Sequence, residues 1–252
     1  AAAAQAEAAA AKQAAEKQVS VIVFPELCLT GYTCGDLFFQ QTLLTSALNG
    51  LETILNELKQ EDIICIVGLP IRVETNLYNC AAVCYHGKLL GIVPKTNLVN
   101  QGGLNETRYF CSAPSYREIT LCNQIVPFGT NIIFSCDTLT EFQFGVEICK
   151  DIWVTEPPSN MLAKEGATII FNLSASAEVV GKSAYRKTLV SGQSAKLICA
   201  YVYADAGQGE STTDYVYSGH DLIAENGTIL AESPLFSTGF IHADIDLQLL
   251  WQ

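Results

Sequence analysis

The stretch FGVEICKDIW, residues 144 to 153, decides how the rest of the chain is interpreted. The alternation of Phe144, Val146 and Ile148 predicts a strand that enters a core. Cys149 follows at once, in a turn with charged residues on both sides. A thiol at the end of a buried strand can be a nucleophile, because the strand fixes it while the turn exposes it. A cysteine among apolar residues can equally be an inert part of the core, and this stretch alone leaves both readings open.

The composition is that of an ordered globular protein. Hydrophobic residues make up 49% of the 252 residues and charged residues 16%, which excludes a disordered chain. The formal net charge of -12 and the lack of a basic stripe with interleaved aromatic residues argue against nucleic-acid binding. No apolar run is long enough to predict a membrane span. We therefore expect a soluble chain with neither a nucleic-acid nor a membrane partner.

The ten cysteines are scattered, mostly among apolar neighbours. That pattern favours reduced thiols in a cytosol over a disulfide framework, and so predicts a cytoplasmic protein. Cys80 and Cys84 are the closest pair, but no second pair or nearby histidine completes a zinc site. His86, His220 and His242 lie far apart in sequence, so we expect no bound metal.

Apolar runs alternate with helical periodicity along the chain, which predicts an α/β fold. Strands are expected at 19–24, 63–69, 168–173 and 197–203, with hairpins around His86-Gly87 and Asn226-Gly227. Helices are expected at 1–18, 42–59, 157–165 and 182–196. The segment 96–118 is rich in Asn, Gly, Ser and Tyr and predicts a long loop. No linker divides the chain, so we predict one domain over 1–252.

Three apolar strands run into a charged or reactive residue: Glu26 in VIVFPELCLTGY, Lys95 in GIVPKTN and Cys149 in FGVEICKDIW. In α/β sheets, active-site residues gather at the carboxyl ends of strands. A buried carboxylate, ammonium and thiol are costly unless they pair with one another, so we expect the three to converge. The carboxylate can take the thiol proton and the lysine can stabilise an oxyanion, which predicts acyl transfer to water with release of ammonia or an amine. Taken singly, they can also be a capping glutamate, a solvated lysine and a packed cysteine.

These stretches together resemble the nitrilase, or carbon–nitrogen hydrolase, superfamily. Within it, the likeness is closest to the glutaminase domain of the glutamine-dependent NAD+ synthetases, and it covers nearly the whole chain after residue 17. The segments that carry it, besides the lysine segment, are PELCLTGYTCGDLF (25–38), EICKDIW (147–153), NLSAS (172–176), GKSAYR (181–186) and YADAGQGESTTDYVYSGHDLI (203–223). The resemblance implies a nitrilase-type four-layer α-β-β-α sandwich and a homo-oligomer.

The resemblance also implies a role for seven residues. The catalytic ones are Glu26 as general base, Lys95 as transition-state stabiliser and Cys149 as nucleophile. The substrate-binding ones are Glu106, which would also hold the lysine, together with Tyr32, Ser176 and Lys182. Three of these have simpler readings from the residues alone: Glu106 as an exposed glutamate in a polar loop, Ser176 as a strand end and Lys182 as the start of a solvated helix.

One residue departs from the family pattern. Members commonly carry an acidic residue directly after the cysteine, and Lys150 stands there in this chain. The backbone N–H required for an oxyanion hole survives any side chain. A cation at this position, however, cannot grip the ammonium group of glutamine.

The reaction that the resemblance implies is hydrolysis of L-glutamine to glutamate and ammonia through a γ-glutamyl thioester, with no cofactor for this domain. Family members join this domain to a C-terminal synthetase domain, which uses ATP and Mg to amidate deamido-NAD+. No glycine-rich nucleotide loop is found here, so we expect that partner domain to be absent from this chain. The alternatives are a stand-alone nitrilase-superfamily amidase that acts on another small amide, and a catalytically silent scaffold domain.

Overall fold

The computed structural model describes residues 2–251. The chain divides into two compact units, residues 1–130 and 131–252, and each contains a six-stranded sheet with helices. The predicted α/β class is confirmed. No helix among the described residues is long and apolar enough to cross a bilayer.

The first unit is built on a mixed sheet with the strand order β1-β2-β3-β4-β8-β7, beside a separate β5–β6 hairpin. Its elements are α1 (Ala2–Glu16), β1 (Val21–Val23), α2 (Gln41–Glu57), β2 (Ile64–Val73), β3 (Asn76–Tyr85), β4 (Lys88–Pro94), β5 (Asn100–Gln101), β6 (Leu104–Asn105), β7 (Arg117–Leu121) and β8 (Gln124–Phe128). Strand β1 pairs parallel with β2, while β2–β3 and β3–β4 pair antiparallel. Strands β1, β2 and β4 therefore run in one direction, and their carboxyl ends lie at one edge.

The alanine-rich helix α1 packs against α2, and the residues of α1 that are buried are four alanines and Glu7. Small residues meet at the contact, where a Cβ added to Gly50 would lie 3.3 Å from the Cβ of Ala4. The predicted helix over 1–18 is confirmed as far as Glu16; Ala1 lies outside the described residues.

The second unit is built on a sheet with the order β14-β13-β12-β11-β10-β9. Its elements are β9 (Phe134–Ser135), β10 (Gln143–Ile148), α3 (Pro158–Lys164), β11 (Ile169–Ser174), α4 (Lys182–Leu197), β12 (Ala200–Asp205), β13 (Leu222–Glu225), β14 (Thr228–Glu232) and α5 (Leu247–Leu250). Strands β10, β11 and β12 are parallel, so their carboxyl ends share an edge. One sheet face buries Ile170, Tyr201 and Leu222 against Leu162 of α3 and Val190 of α4.

The predicted strands, helices and both hairpins are confirmed to within a few residues, and the differences have local causes. Strand β12 begins at Ala200 and not at 197, because α4 continues to Leu197 and Ile198 adopts a left-handed conformation with φ of 50°. The β7–β8 hairpin was not predicted. Its turn residues, Cys122 and Asn123, have φ of 48° and 58°, and cysteine is not a typical residue for that conformation.

Candidate active site

Glu26 and Lys95 follow the carboxyl ends of β1 and β4, and the structure brings them together with Glu106. The Lys95 Nζ lies 2.6 Å from Glu26 Oε1 and 2.7 Å from Glu106 Oε1. All three side chains are buried. An ammonium held between two carboxylates compensates each charge for the water it has lost, whereas removal of one partner would leave a buried charge uncompensated.

Glu106 lies in the segment that was predicted as a loop, but it is only 4% exposed. The segment contains the β5–β6 hairpin and a 3-10 helix, Glu106–Arg108, which turns the side chain inward. Its Oε1 accepts a hydrogen bond from the Tyr32 hydroxyl at 2.8 Å, and its Oε2 accepts one from the Val99 N–H at 2.8 Å. The reading of Glu106 as an exposed glutamate is therefore wrong, and Tyr32 belongs to the same cluster.

The environment of Glu26 suits proton transfer. Burial raises the pKa of the Glu26 carboxyl, while the charge of Lys95 and a hydrogen bond from Asn79 Nδ2, at 2.7 Å, act in the opposite direction. A carboxyl whose pKa is raised towards neutrality can both accept and return a proton. Asn79 was missed in the sequence; its signal is a polar residue in the buried middle of strand β3.

The backbone around Glu26 is held by a close approach of β2. A Cβ added to Gly68 would lie 2.3 Å from the backbone nitrogen of Leu27, so only glycine fits there. The Leu29 N–H donates to the Gly68 carbonyl at 3.1 Å, and the Gly68 N–H donates to the Cys28 Sγ at 3.2 Å. The chain also turns sharply at Leu27, with φ of 52°. These contacts fix the point from which Glu26 projects.

Cys149 is the first residue of a 3-10 helix, Cys149–Trp153, that follows β10 directly. Its φ of 46° lies in the left-handed region, which costs a non-glycine residue roughly 1–2 kcal/mol. The Cys149 N–H donates to Asn172 Oδ1 at 3.0 Å, and the Ile148 N–H donates to Asp151 Oδ2 at 3.1 Å. The predicted sharp turn after a buried strand is confirmed, and side chains from within the second unit hold its strained backbone.

Ser176 and Lys182 follow β11 in the second unit. The Lys182 Nζ donates to the Ala177 carbonyl at 2.6 Å and lies 5.6 Å from the centre of the Trp153 ring. Burial lowers the pKa of Lys182, and the nearby Cys149 opposes that shift when it is ionised. Lys182 is thus half-buried at the start of α4 and within electrostatic range of Cys149.

A buried ion cluster lies behind Ser176. The Arg186 side chain is fully buried, with Nη1 3.0 Å from Glu178 Oε2 and Nη2 3.6 Å from Asp205 Oδ2. Asp205 Oδ1 accepts a hydrogen bond from the Ser176 N–H at 2.8 Å. Arg186 is the last residue of the GKSAYR segment, but no role was predicted for it. A better signal is its spacing four residues before Val190, on the buried side of α4.

The seven predicted site residues thus fall into two groups. Glu26, Lys95, Glu106 and Tyr32 form one hydrogen-bonded cluster in the first unit, and Cys149, Ser176 and Lys182 lie in the second. The residues between 2 and 251 contain no group of three or more His, Cys, Asp or Glu side chains that could hold a metal ion.

Comparison with known proteins identifies relatives of this chain. A family model described as carbon–nitrogen hydrolase matches residues 2–252. The glutamine-dependent NAD(+) synthetase of Mycobacterium tuberculosis (strain ATCC 25618 / H37Rv) is 39% identical over 234 residues, which cover 92% of this chain and 34% of that protein. The chain thus spans about a third of the length of the curated relatives that it matches.

Solved structures agree with these matches. A glutamine-dependent NAD(+) synthetase from Cytophaga hutchinsonii superposes with a TM-score of 0.82 at 30% identity, over 93% of this chain and 38% of that one. An amidase from Nesterenkonia sp. shares the fold alone, with a TM-score of 0.73 at 17% identity over 94% of this chain and 81% of that one. The predicted nitrilase-type fold class is confirmed. The chain belongs to the carbon–nitrogen hydrolase family.

Proposed function

We propose that this chain hydrolyses the side-chain amide of L-glutamine to glutamate and ammonia, through a γ-glutamyl thioester on Cys149. The observation that carries the proposal is the buried Lys95 held between Glu26 and Glu106. Buried charges of this kind concentrate at functional sites. Family membership supports the reaction class, and relatives named glutamine-dependent NAD(+) synthetase support the choice of glutamine.

In the first step, Glu26 takes the proton of the Cys149 thiol, and the thiolate sulfur attacks the amide carbon. The carbonyl oxygen becomes an oxyanion, which the Lys95 ammonium and the backbone N–H of Lys150 stabilise. Lys95 is pre-positioned for this role, because its two carboxylate partners hold the ammonium before substrate arrives. The stabilising charge therefore needs little rearrangement during the reaction.

In the second step, Glu26 returns its proton to the amide nitrogen, the C–N bond breaks and ammonia leaves. The acyl group remains on Cys149 as a thioester. Glu26 then removes a proton from water, and the resulting hydroxide attacks the thioester carbon. The C–S bond breaks, and Glu26 returns that proton to the departing sulfur, which gives glutamate and the thiol. Glu26 thus acts first as base and then as acid in each half of the reaction, which suits a carboxyl whose pKa is raised from its ordinary value.

Four residues supply substrate binding in this proposal. The Lys182 ammonium attracts the α-carboxylate of glutamine, and Ser176 offers a hydroxyl to its backbone groups. Tyr32 and Glu106 are proposed to contact the substrate beside the lysine, where Glu106 also neutralises part of the lysine charge.

The test is labelling with a chloroketone analogue of glutamine, followed by mass spectrometry. We expect one adduct per chain on Cys149, protection by glutamine, and no adduct in Cys149→Ala. Cys111, which is exposed, is the internal control because a merely reactive reagent would modify it first. Labelling of Cys111 without labelling of Cys149, or hydrolysis of simple amides in preference to glutamine, would contradict the proposal.

We further propose that this chain is the ammonia-releasing part of a cytoplasmic, homo-oligomeric glutamine-dependent NAD+ synthetase. In that protein, a C-terminal synthetase domain would use ATP and Mg to amidate deamido-NAD+. Support comes from the names of the relatives and from the third of their length that the chain spans. In the full-length protein, Cys149→Ala should abolish NAD+ formation with glutamine and preserve it with added ammonia. Equal loss of both activities in the folded variant would contradict the coupling.

A further inference from the structure

Three buried polar side chains lead, one to the next, towards the backbone of Cys149. The Tyr201 hydroxyl donates to Glu147 Oε1, and Asn172 Nδ2 donates to the Tyr201 oxygen at 2.9 Å. Asn172 Oδ1 in turn accepts the Cys149 N–H at 3.0 Å. Glu147 and Asn172 lie close together because they are directly opposite each other on the parallel strands β10 and β11. We refer to Glu147, Tyr201 and Asn172 as the polar chain.

When the Glu147 carboxyl is ionised, it sets the direction of every hydrogen bond in the polar chain. A carboxylate only accepts, and Glu147 accepts from the Tyr201 O–H and from the Ser159 N–H, the latter at 2.8 Å. A tyrosine hydroxyl has a single proton, so Tyr201 presents a lone pair to Asn172. The amide must therefore turn its NH2 towards Tyr201 and its oxygen towards Cys149. Ser174 Oγ donates to the same oxygen at 2.7 Å, and a flipped amide would set its NH2 against the Cys149 N–H, donor against donor.

The same amide reaches the carbonyl of Cys149, since Asn172 Nδ2 lies 3.4 Å from that oxygen. The Cys149 carbonyl and the Lys150 N–H belong to one planar trans peptide group, and they point in opposite directions. Whatever holds the carbonyl therefore sets the direction of the N–H. The Cys149 backbone is itself strained, with φ of 46°, and such a conformation persists only where its surroundings hold it.

We infer that Asn172, oriented by Tyr201 and Glu147, is a positioning residue that aims the Lys150 N–H at the developing oxyanion. The inference rests on the proposed hydrolysis through Cys149. It assigns the three buried side chains a kinetic role: they act through the peptide group after Cys149 and not on the substrate itself.

The decisive variant is Tyr201→Phe, which removes one oxygen and keeps the ring. Loss of an oxyanion donor costs about 100- to 1000-fold in kcat, and a misdirected donor costs less, so we expect kcat for glutamine in the full-length protein to fall about 10- to 100-fold. The KM should stay within about twofold, because the variant changes none of the residues proposed to bind the substrate. The assays belong near pH 8, since burial raises the pKa of Glu147 to about 7.

A second readout separates positioning from general disruption. Alkylation of Cys149 by iodoacetamide forms no oxyanion. In Tyr201→Phe, the alkylation rate should therefore stay within about twofold of the wild-type rate at each pH tested. Tyr78→Phe is the matched control: Tyr78 is also buried, and its hydroxyl accepts from an amide, Asn76 Nδ2, at 3.3 Å. That control should retain wild-type kcat.

Glu147→Gln tests the same polar chain from its far end, and it serves if Tyr201→Phe does not fold. A glutamine has one acceptor oxygen for two donors, so Tyr201 must reverse and Asn172 loses its orientation. We expect the same fall in kcat at unchanged KM. The double variant Tyr201→Phe/Glu147→Gln should be no slower than the slower single variant, because both act through Asn172.

Three results would overturn the inference: wild-type kcat in Tyr201→Phe, an equal fall in kcat and in alkylation rate, or effects that multiply in the double variant. A wild-type protein that does not hydrolyse glutamine would refute the proposed function instead, so the two failures are distinguishable.

Discussion

Replacement of Gly68 by alanine should damage both the stability and the activity of this protein. An added Cβ would lie 2.3 Å from the Leu27 nitrogen, 2.9 Å from the Pro25 carbonyl oxygen and 3.0 Å from the Glu26 carbonyl carbon. Ordinary contacts begin at 3.4 Å, so the tightest one is about 1 Å too short. All three atoms belong to the backbone and cannot move aside as the end of a flexible side chain could.

The size of the effect follows from that overlap. Overpacking of a well-packed interior costs about 1–3 kcal/mol, and a backbone clash belongs at the upper end of that range. For a chain of this length, about 3 kcal/mol corresponds to a fall of about 6–12 °C in Tm. Any relief must shift Glu26, and a displacement of about 1 Å in a catalytic group costs about 100-fold in rate. We therefore expect glutamine hydrolysis by Gly68→Ala to fall by about that factor.

The matched control is Gly192→Ala in the middle of α4, where the added Cβ meets nothing within 4 Å beyond its chain neighbours and the backbone of its own helix. Alanine in a helix interior is more stable than glycine by about 0.5–1 kcal/mol, so its Tm should rise by about 1–4 °C. Thermal unfolding and a glutaminase assay on both variants provide the measurement. A Gly68→Ala variant with unchanged Tm and kcat would refute the reasoning about Glu26.

Three further predictions concern charges. Lys150→Glu, which introduces the acidic residue usual in the family, should lower the KM for glutamine with little change in kcat. Arg186→Met should destabilise the protein by about 3–5 kcal/mol, because it leaves buried carboxylates uncompensated, whereas Arg117→Met should cost under about 1 kcal/mol. Burial raises the pKa of Glu147 from 4.5 to about 7, so between these pH values the folded protein holds a proton that the unfolded chain has released. The free energy of unfolding should therefore fall as the pH rises from 4.5 to about 7. Glu147→Gln should make that fall smaller.

The measurements are steady-state kinetics for Lys150→Glu and urea unfolding for the others. Lys164→Glu, an equal charge change on an exposed residue, is the control for Lys150 and should leave KM unchanged. An unchanged KM in Lys150→Glu would rule out a role for this side chain in substrate affinity. Equal costs for Arg186→Met and Arg117→Met, or a pH dependence that Glu147→Gln does not alter, would contradict the electrostatic argument in each case.

Much of the secondary structure was predictable from local pattern. Continuous apolar runs such as 63–69 and 168–173 indicated buried strands, and glycine-containing turns located both hairpins, because these signals are local and need no partner. The β7–β8 hairpin gave a weaker signal, with Cys122 in its turn and Pro127 in β8. Proline is usually depleted from paired strands, so no strand was predicted there.

The candidate site was only partly predictable, for a similar reason. Glu26, Lys95 and Cys149 were identified because each directly follows an apolar strand. From the sequence, Glu106 could also be an exposed loop residue. Its burial depends on contact with the Lys95 ammonium, which forms only when the chain folds.

By itself, the sequence determined the α/β class, the positions of the main strands along the chain and the residues at their carboxyl ends. These follow from periodicity and turn chemistry, which act over a few neighbouring residues. Tertiary structure alone decided which polar groups pair. The contacts of Lys95 with Glu26 and of Asn172 with Cys149 and Tyr201 join residues that are far apart in the chain. A hydrogen bond requires atoms about 3 Å apart in a set direction, and only the packed sheets define such positions.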